Sequence, residues 1–389
     1  MPTRAGRTIG TRARATVSVH CAPVVLPVCG PPVHDGAIVV RNDRIARVGP
    51  RAEIVAAHPL LTPVHWPGMI LPGLVDAHLR LDRAAAPVSV YGVTAAGGIA
   101  ADLDAASTLG EAGLGGVTYL ETRCEDEHRW EDEARDRLIT AIREVDHPGA
   151  IGIAAHSSDP VVMEDLTVLS RTFGLRLHVE PGRHTVAFLD EVGALGAGCH
   201  IAISGPLDEA DRKLLRARGT VIAISSPFAA EGLLDGESAI AIGTRTGGDP
   251  LAVARALSHA PGHDRLLVEA VTAGGARALG MDEGPGRLGC LERGGRADFA
   301  VFAVDARGRD PYTVLLHEGP GRCVATFAGG RARWRLDGTG RLGAPGGADA
   351  DGDAGGAART GGGDLGSGGD AGDAGDAAGA GDVKGRRLA

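Results

Sequence analysis

Aromatic side chains are scarce in this 389-residue chain, at 3% of its residues, so any core must be built from Ala, Val, Leu and Ile. Long apolar runs are missing too. None reaches the roughly 20 residues that cross a bilayer as a helix, so no membrane partner is expected. The arginines near the start (Arg4, Arg7, Arg12, Arg14) are followed by no apolar stretch, which argues against a secretory leader. There is no basic excess: the formal net charge is −9, and an acidic balance with few aromatics argues against nucleic-acid binding. The six cysteines (Cys21, Cys29, Cys124, Cys199, Cys290, Cys323) form no CxxC pair and are scattered, the pattern of reduced thiols in a cytoplasmic protein. No GxxxxGK[ST] phosphate loop exists, so Gly113 to Gly116 reads as a turn.

The rest of the composition, 43% apolar and 23% charged, is ordinary for a globular protein. The length suits one large barrel domain or two smaller ones. Residues 1–16 read as a disordered basic head. From Gly343 onward the chain reduces to Gly, Ala and Asp, as in GGADADGDAGGAA. With so little apolar surface to offset the entropy of ordering, residues 337–389 are expected to form a disordered tail. Residues 17–60 read as short strands. Asp35-Gly36 is a turn signal, and Asn42-Asp43 marks a hairpin between Ala37–Val40 and Arg44–Val48. Residues 286–335 return to short strands, Ala297–Phe302 and Arg322–Phe327, with Gly329-Gly330 turning the chain into Arg331–Trp334.

The middle alternates apolar strands with amphipathic helices. Ala150–Ala155, Leu175–Val179, Thr220–Ile224 and Ser238–Ile242 are short apolar runs, as strands buried on both faces require. Asp159-Pro160 supplies a helix cap and first-turn residue, Val162, Leu166, Leu169 and Phe173 recur at helical spacing, and Gly174 stops the helix. Trp130, Ala134, Leu138 and Ile142 repeat that pattern earlier, and Ala210–Leu215 is a further helix. The alternation predicts an α/β fold: a (β/α)8 TIM-like barrel over residues 69–285, plus a small β-sandwich domain formed by both chain ends, residues 17–68 and 286–336.

Three stretches resemble one family. Met69-Ile-Leu-Pro-Gly-Leu-Val-Asp-Ala-His-Leu-Arg-Leu-Asp82 is similar to the first barrel strand of the amidohydrolase superfamily, whose LPGLVDAHxHL pattern carries two metal-binding histidines. Thr272–Gly280 resembles its last barrel helix, and Gly294–Val301 its closing GxRADxxV strand. Their order matches the family, and the resemblance spans residues 17–335. It is nearest to the nucleoside-type deaminases, those of aminofutalosine and methylthioadenosine/adenosylhomocysteine, with cytosine deaminases further off. The resemblance implies histidines and an aspartate at strand C-termini holding a divalent metal, zinc or iron. It also implies a metal-bound hydroxide that attacks an amidine-like carbon, with a glutamate moving protons as ammonia leaves.

Carried over residue by residue, that site is incomplete. His78 matches the first histidine of the HxH pair, but the second is Arg80, whose guanidinium has no lone pair to donate. His178 matches the third ligand. The family's glutamate stands three residues further on, where this chain has Pro181; Glu180 is one residue early, and on a strand that turns a side chain to the other face. The fourth ligand position, in Ala202–Leu207, is Ile203, with His200 expected inside the strand or facing another way. The aspartate of the family's GTD triplet is Arg245. His156 matches a position that touches substrate. His78 and His178 are either remnant ligands or buried, hydrogen-bonded histidines inherited with the fold. Cys199 and His200 are adjacent on a strand, face opposite ways, and form no nucleophilic pair. Glu121, Glu125, Asp126 and Glu127 precede a polar helix and read as a solvated face.

These substitutions set three expectations. The first is a protein related to hydrolases of non-peptide C–N bonds whose metal-dependent catalysis is impaired or lost, a pseudoenzyme with no cofactor. The second is a non-catalytic binder of a small anionic molecule through Arg80 and Arg245, since guanidinium groups suit carboxylate and phosphate. The third is an active hydrolase with a rebuilt centre, in which His78, His178 and Glu180 hold zinc or iron with His156. The resemblance also implies a homo-oligomer.

Overall fold

The structure is a computed structural model that describes residues 15–81, 87–144, 150–182, 184–258 and 262–336. The expected tail, and the expected head except its last two residues, lie outside the described residues.

The chain enters through an antiparallel meander, β1 (Val17–Val25), β2 (Val33–Arg41) and β3 (Arg44–Pro50), followed by β4 (Val64–His65) and β5 (Met69–Pro72), both parallel to β1. Eight strands follow: β6 (Leu74–Arg80), β7 (Val93–Ala100), β8 (Gly115–Thr122), β9 (Ala150–Ala155), β10 (Arg176–Val179), β11 (Cys199–Ile203), β12 (Val221–Ile224) and β13 (Ile240–Ile242). The chain then returns to the first sheet as β14 (Phe299–Phe302), β15 (Cys323–Ala328) and β16 (Arg331–Arg335). That sheet runs β16-β15-β14-β5-β1-β2-β3, with β4 beside β1, so both chain ends build one mixed sheet.

Turn chemistry explains its hairpins. Asn42 adopts a left-handed φ of 56° between β2 and β3, and Gly329 and Gly330 adopt 58° and 72° between β15 and β16, as tight hairpins need. Asp35-Gly36, by contrast, is not a chain reversal. Gly36 lies within β2, paired with Ala22 and Pro50, and a Cβ there would sit 2.8 Å from the Val25 side chain. Close approach of β1, rather than a turn, requires glycine at this position.

Strands β6 to β13 are all parallel and pair in chain order. The ring is joined beyond its last strand, where Arg245 N donates to His78 O at 2.8 Å and Arg80 N donates to Arg245 O at 2.9 Å. The helix Pro160–Thr172 forms as its sequence dictates: the Asp159 side chain accepts from Val161 N and Val162 N, Val162, Leu166 and Leu169 are buried, and Gly174 follows with a φ of 65°. The earlier helix departs from the even helical period. Trp130–Ala134 is a π-helical turn between Glu127–Arg129 and Arg135–Glu144, and the buried Trp130 indole donates to Asp165 at 2.8 Å. Core packing runs without a break from the sheet into the barrel, with Val24, Met69 and Phe302 in the same apolar cluster as Leu74, Leu120, Leu177 and Ile201. No helix among the described residues is long and apolar enough to cross a membrane.

Candidate functional site in the barrel mouth

The chemistry-bearing side chains gather at the C-terminal ends of the barrel strands, the face where such folds build their sites. β6 ends with His78 and Arg80, β8 with Glu121, and His156, Glu180 and Ser225 directly follow β9, β10 and β12. Arg80, Arg123, His156, Glu180, His184 and Arg245 line a cavity of about 260 Å³.

Two carboxylates organise this mouth. Glu121 receives Arg80 Nη2 on both oxygens at 2.9 Å and Arg123 Nη2 at 2.8 Å, and its Oε1 lies 2.8 Å from His156 Nδ1. Burial works to raise the Glu121 pKa, but the His156, Arg123 and Arg80 contacts outweigh it and hold the carboxyl at about 2. The expectation of a solvated face therefore fails for Glu121, whose side chain is only 5% exposed. It sits two residues beyond the interior Tyr119 on β8 and so shares that face, an alternation legible in the sequence once the strand is placed.

Glu180 follows the end of β10 and turns into the mouth despite its one-residue offset. Its Oε1 is 3.3 Å from both His78 Nε2 and His156 Nε2, and its Oε2 is 4.0 Å from Arg245 Nη2. The strand stops at Val179, so strict alternation no longer governs position 180. Contact with His156 and His78 holds the Glu180 carboxyl well below the usual carboxylate range. Burial works to lower the His156 pKa, but Glu121 and Glu180 reverse this and raise it above the ordinary value.

Beneath the mouth lies a layer of buried rings. The His178 ring centroid is 5.0 Å from that of His78, 4.8 Å from His200 and 5.6 Å from Tyr119. Neither ring nitrogen of His178 has a hydrogen-bond partner. Burial first, then His200 and His78, push its pKa well below the ordinary value, so the ring is neutral. His200 does not face away: it is the register partner of His178, and neighbouring positions in register share a face. Its Nε2 lies 2.9 Å from Ala77 O and its Nδ1 3.3 Å from Tyr119 Oη, and burial drives its pKa down to about 3. Asp76 also went unrecognised in the sequence. Fully buried, it accepts from His78 N at 3.1 Å, from Thr244 N at 3.0 Å and from the Thr244 hydroxyl, tying β6 to the segment that carries Arg245. Burial raises its carboxyl to about 6.

The donor set does not fit the divalent metal that the resemblance implies. Arg80 and Arg245 bring fixed positive charge to two positions where the resemblance implies ligands, and at a third Ile203 is a buried hydrocarbon at the end of β11. The remaining donors do not converge. Among the described residues, no histidine belongs to a group of three donor atoms that all lie within 4.8 Å of one another. A centre rebuilt from His78, His178, Glu180 and His156 is therefore not assembled in this arrangement, although His78 Nε2, His156 Nε2 and both His178 nitrogens are buried without a hydrogen-bond partner.

Residues 36–59 match the family of bacterial imidazolonepropionase-like composite domains. The chain is 25% identical to the 5-methylthioadenosine/S-adenosylhomocysteine deaminase of Desulforudis audaxviator (strain MP104C), over 69% of this chain and 67% of that protein. It is similar in structure to an adenosine deaminase from Xanthomonas campestris with bound zinc, with a TM-score of 0.65 and 19% identity over 81% of this chain and 92% of that one. Helicobacter pylori aminofutalosine deaminase is matched with a TM-score of 0.64 and 14% identity, over 82% of this chain and 100% of that one. At these identities the structural likeness is one of fold.

Proposed function

We propose that this chain, which resembles the deaminases of the amidohydrolase superfamily in sequence and in fold, has impaired or lost metal-dependent C–N hydrolysis and binds a small anionic molecule in its barrel mouth. One observation carries this reading. Arg80, at a ligand position of the family, is built into the site through both oxygens of the buried Glu121. A side chain held that way cannot vacate its place for an ion without leaving a carboxylate short of a donor.

Charge supports the binding half. Three guanidinium groups, Arg80, Arg123 and Arg245, face two carboxylates, and the raised pKa of His156 adds positive character. Arg80 and Arg245 line the cavity and keep 36% and 46% of their side chains exposed, so both present guanidinium groups to it. Guanidinium forks pair best with carboxylate or phosphate oxygens. A volume of about 260 Å³ is at the small end for ligand sites, which favours a compact metabolite. A second reading, an active hydrolase, draws on His178, whose unpartnered buried nitrogens are costly to leave unsatisfied.

The test combines two measurements on the full chain. Ammonia release from aminopurine nucleosides and cytosine, with and without added zinc or iron, is expected to stay at background. Thermal shift with phosphorylated and carboxylated nucleosides is expected to show stabilisation that disappears in the Arg80→Ala/Arg245→Ala variant. Metal-stimulated ammonia release, with a metal content that falls in His78→Ala and His178→Ala, would overturn the loss of catalysis. Equal thermal shifts in the wild type and the arginine variant would overturn the anion site.

A further inference from the structure

We propose that Cys29, Cys290 and Glu292 form a binding site for a thiophilic divalent cation of the zinc class, clasping two segments from opposite ends of the chain. Their ligand atoms, two Sγ and a carboxylate oxygen, all lie within 4.8 Å of one another. Ligands around one tetrahedral ion with metal–sulfur bonds of about 2.3 Å stand roughly 3.8 Å apart, so modest side-chain rotations close the set. None of the three lines the barrel-mouth cavity.

The two segments are held in place. Leu291 N, between the two ligands Cys290 and Glu292, donates to Pro27 O at 3.1 Å, and both Leu291 and Val28 are buried. Tyr312 Oη donates to Val28 O at 3.4 Å. Val28 takes a left-handed φ of 70°, a strained state for a β-branched residue, and it precedes the exposed Cys29. On the other side Gly289, with a φ of 81°, packs so closely that a Cβ would meet Ala273 Cα at 2.6 Å.

The electrostatics close as well. Arg287 Nε donates to Glu292. Two thiolates and a carboxylate carry three negative charges, balanced by a divalent cation and Arg287. Binding exchanges protons for metal: both thiols lose a proton to solvent as two metal–sulfur bonds form. Cys29 is exposed while Cys290 and Glu292 are half-buried, so an ion has access and solvent can complete the coordination. Sulfur-rich donor sets select zinc-class ions over magnesium or calcium.

The full chain, reduced and stripped with chelator, is titrated with Co²⁺. The expected result is one equivalent bound with an intense near-ultraviolet thiolate-to-cobalt band, bleached by Zn²⁺. That band is lost in Cys29→Ser and Cys290→Ser, weakened about tenfold in affinity in Glu292→Gln, and unchanged in His78→Ala/His178→Ala. Because the barrel-mouth donors are nitrogen and oxygen, the sulfur band reports on this site whatever the mouth proves to do. No sulfur band, a band that survives Cys29→Ser, or recovery of the pair only as a Cys29–Cys290 disulfide that binds no cobalt after reduction would each overturn the proposal.

Discussion

Glu121 is where a single residue type changes what its neighbours do. As an ionised, buried carboxylate it collects Arg80, Arg123 and His156. Its folded pKa, about 2, lies below the ordinary carboxylate value, so its stabilising contribution is complete above that ordinary value and disappears as pH falls toward 2. Glu121→Gln is therefore expected to cost about 1–2 kcal/mol at pH 7, a figure reduced for the exposure of its arginine partners. In urea melts at pH 7, 5 and 3, the gap to wild type should shrink at the lowest pH; a constant gap would mean that charge pairing is not the source. Arg245 raises a different matter, since it holds a φ of 62°, which favours glycine. Arg245→Gly is expected to be about 1 kcal/mol more stable than Arg245→Ala, because both lose the 4.0 Å contact to Glu180 and only glycine relieves the backbone.

Among the elements, those legible in the sequence carry their own boundary chemistry. The helix Pro160–Thr172 is marked by an acidic cap, an N-terminal proline and a following glycine, so its ends follow from local rules. Asp159→Ala is expected to cost about 1 kcal/mol, measured by thermal or chemical unfolding. The π-helical turn at Trp130–Ala134 has no such mark. The indole of its buried Trp130 is tied instead to Asp165, which lies on another helix. The barrel interior shows another close tertiary contact at β9, where a Cβ on Gly152 would come within 2.5 Å of the Tyr119 ring. Gly152→Ala is expected to destabilise by about 1–3 kcal/mol and to disturb the Tyr119–His200 contact, visible as a shifted His200 imidazole resonance.

At the scale of the whole fold, the shared core, in which Val24, Met69 and Phe302 pack with barrel strands, is expected to make sheet and barrel unfold as one. Its buried imidazoles, His20, His178 and His200, make acid the expected weakness, while the raised carboxyls of Asp76 and Asp298 work in the opposite direction. His20, in β1, accepts from Trp66 Nε1 at 3.1 Å; burial first, and then Arg335, lower its pKa to about 4. The unfolded chain takes up that proton near pH 6.5 while the folded chain resists it until about pH 4, so stability falls as pH drops through that window. The loss from His20 alone is about 3 kcal/mol at most. The expected outcome is a melting midpoint that declines below pH 6.5 in a single transition, with a shallower decline in His20→Gln. Two separate transitions would show that sheet and barrel unfold independently.

The α/β barrel with a sheet from both chain ends, and the absence of ligand-type residues at positions 80, 203 and 245, were determined by sequence alone. Period, caps and turn residues are local, and a guanidinium or a hydrocarbon lacks a metal-binding lone pair in any fold. The three-dimensional arrangement decided the rest. It brought Glu121 from a run that reads as a solvated face into the mouth, turned His200 toward His178, and placed Glu180 between two imidazoles. These outcomes depend on strand register and on where each strand stops, and neighbouring strands set both.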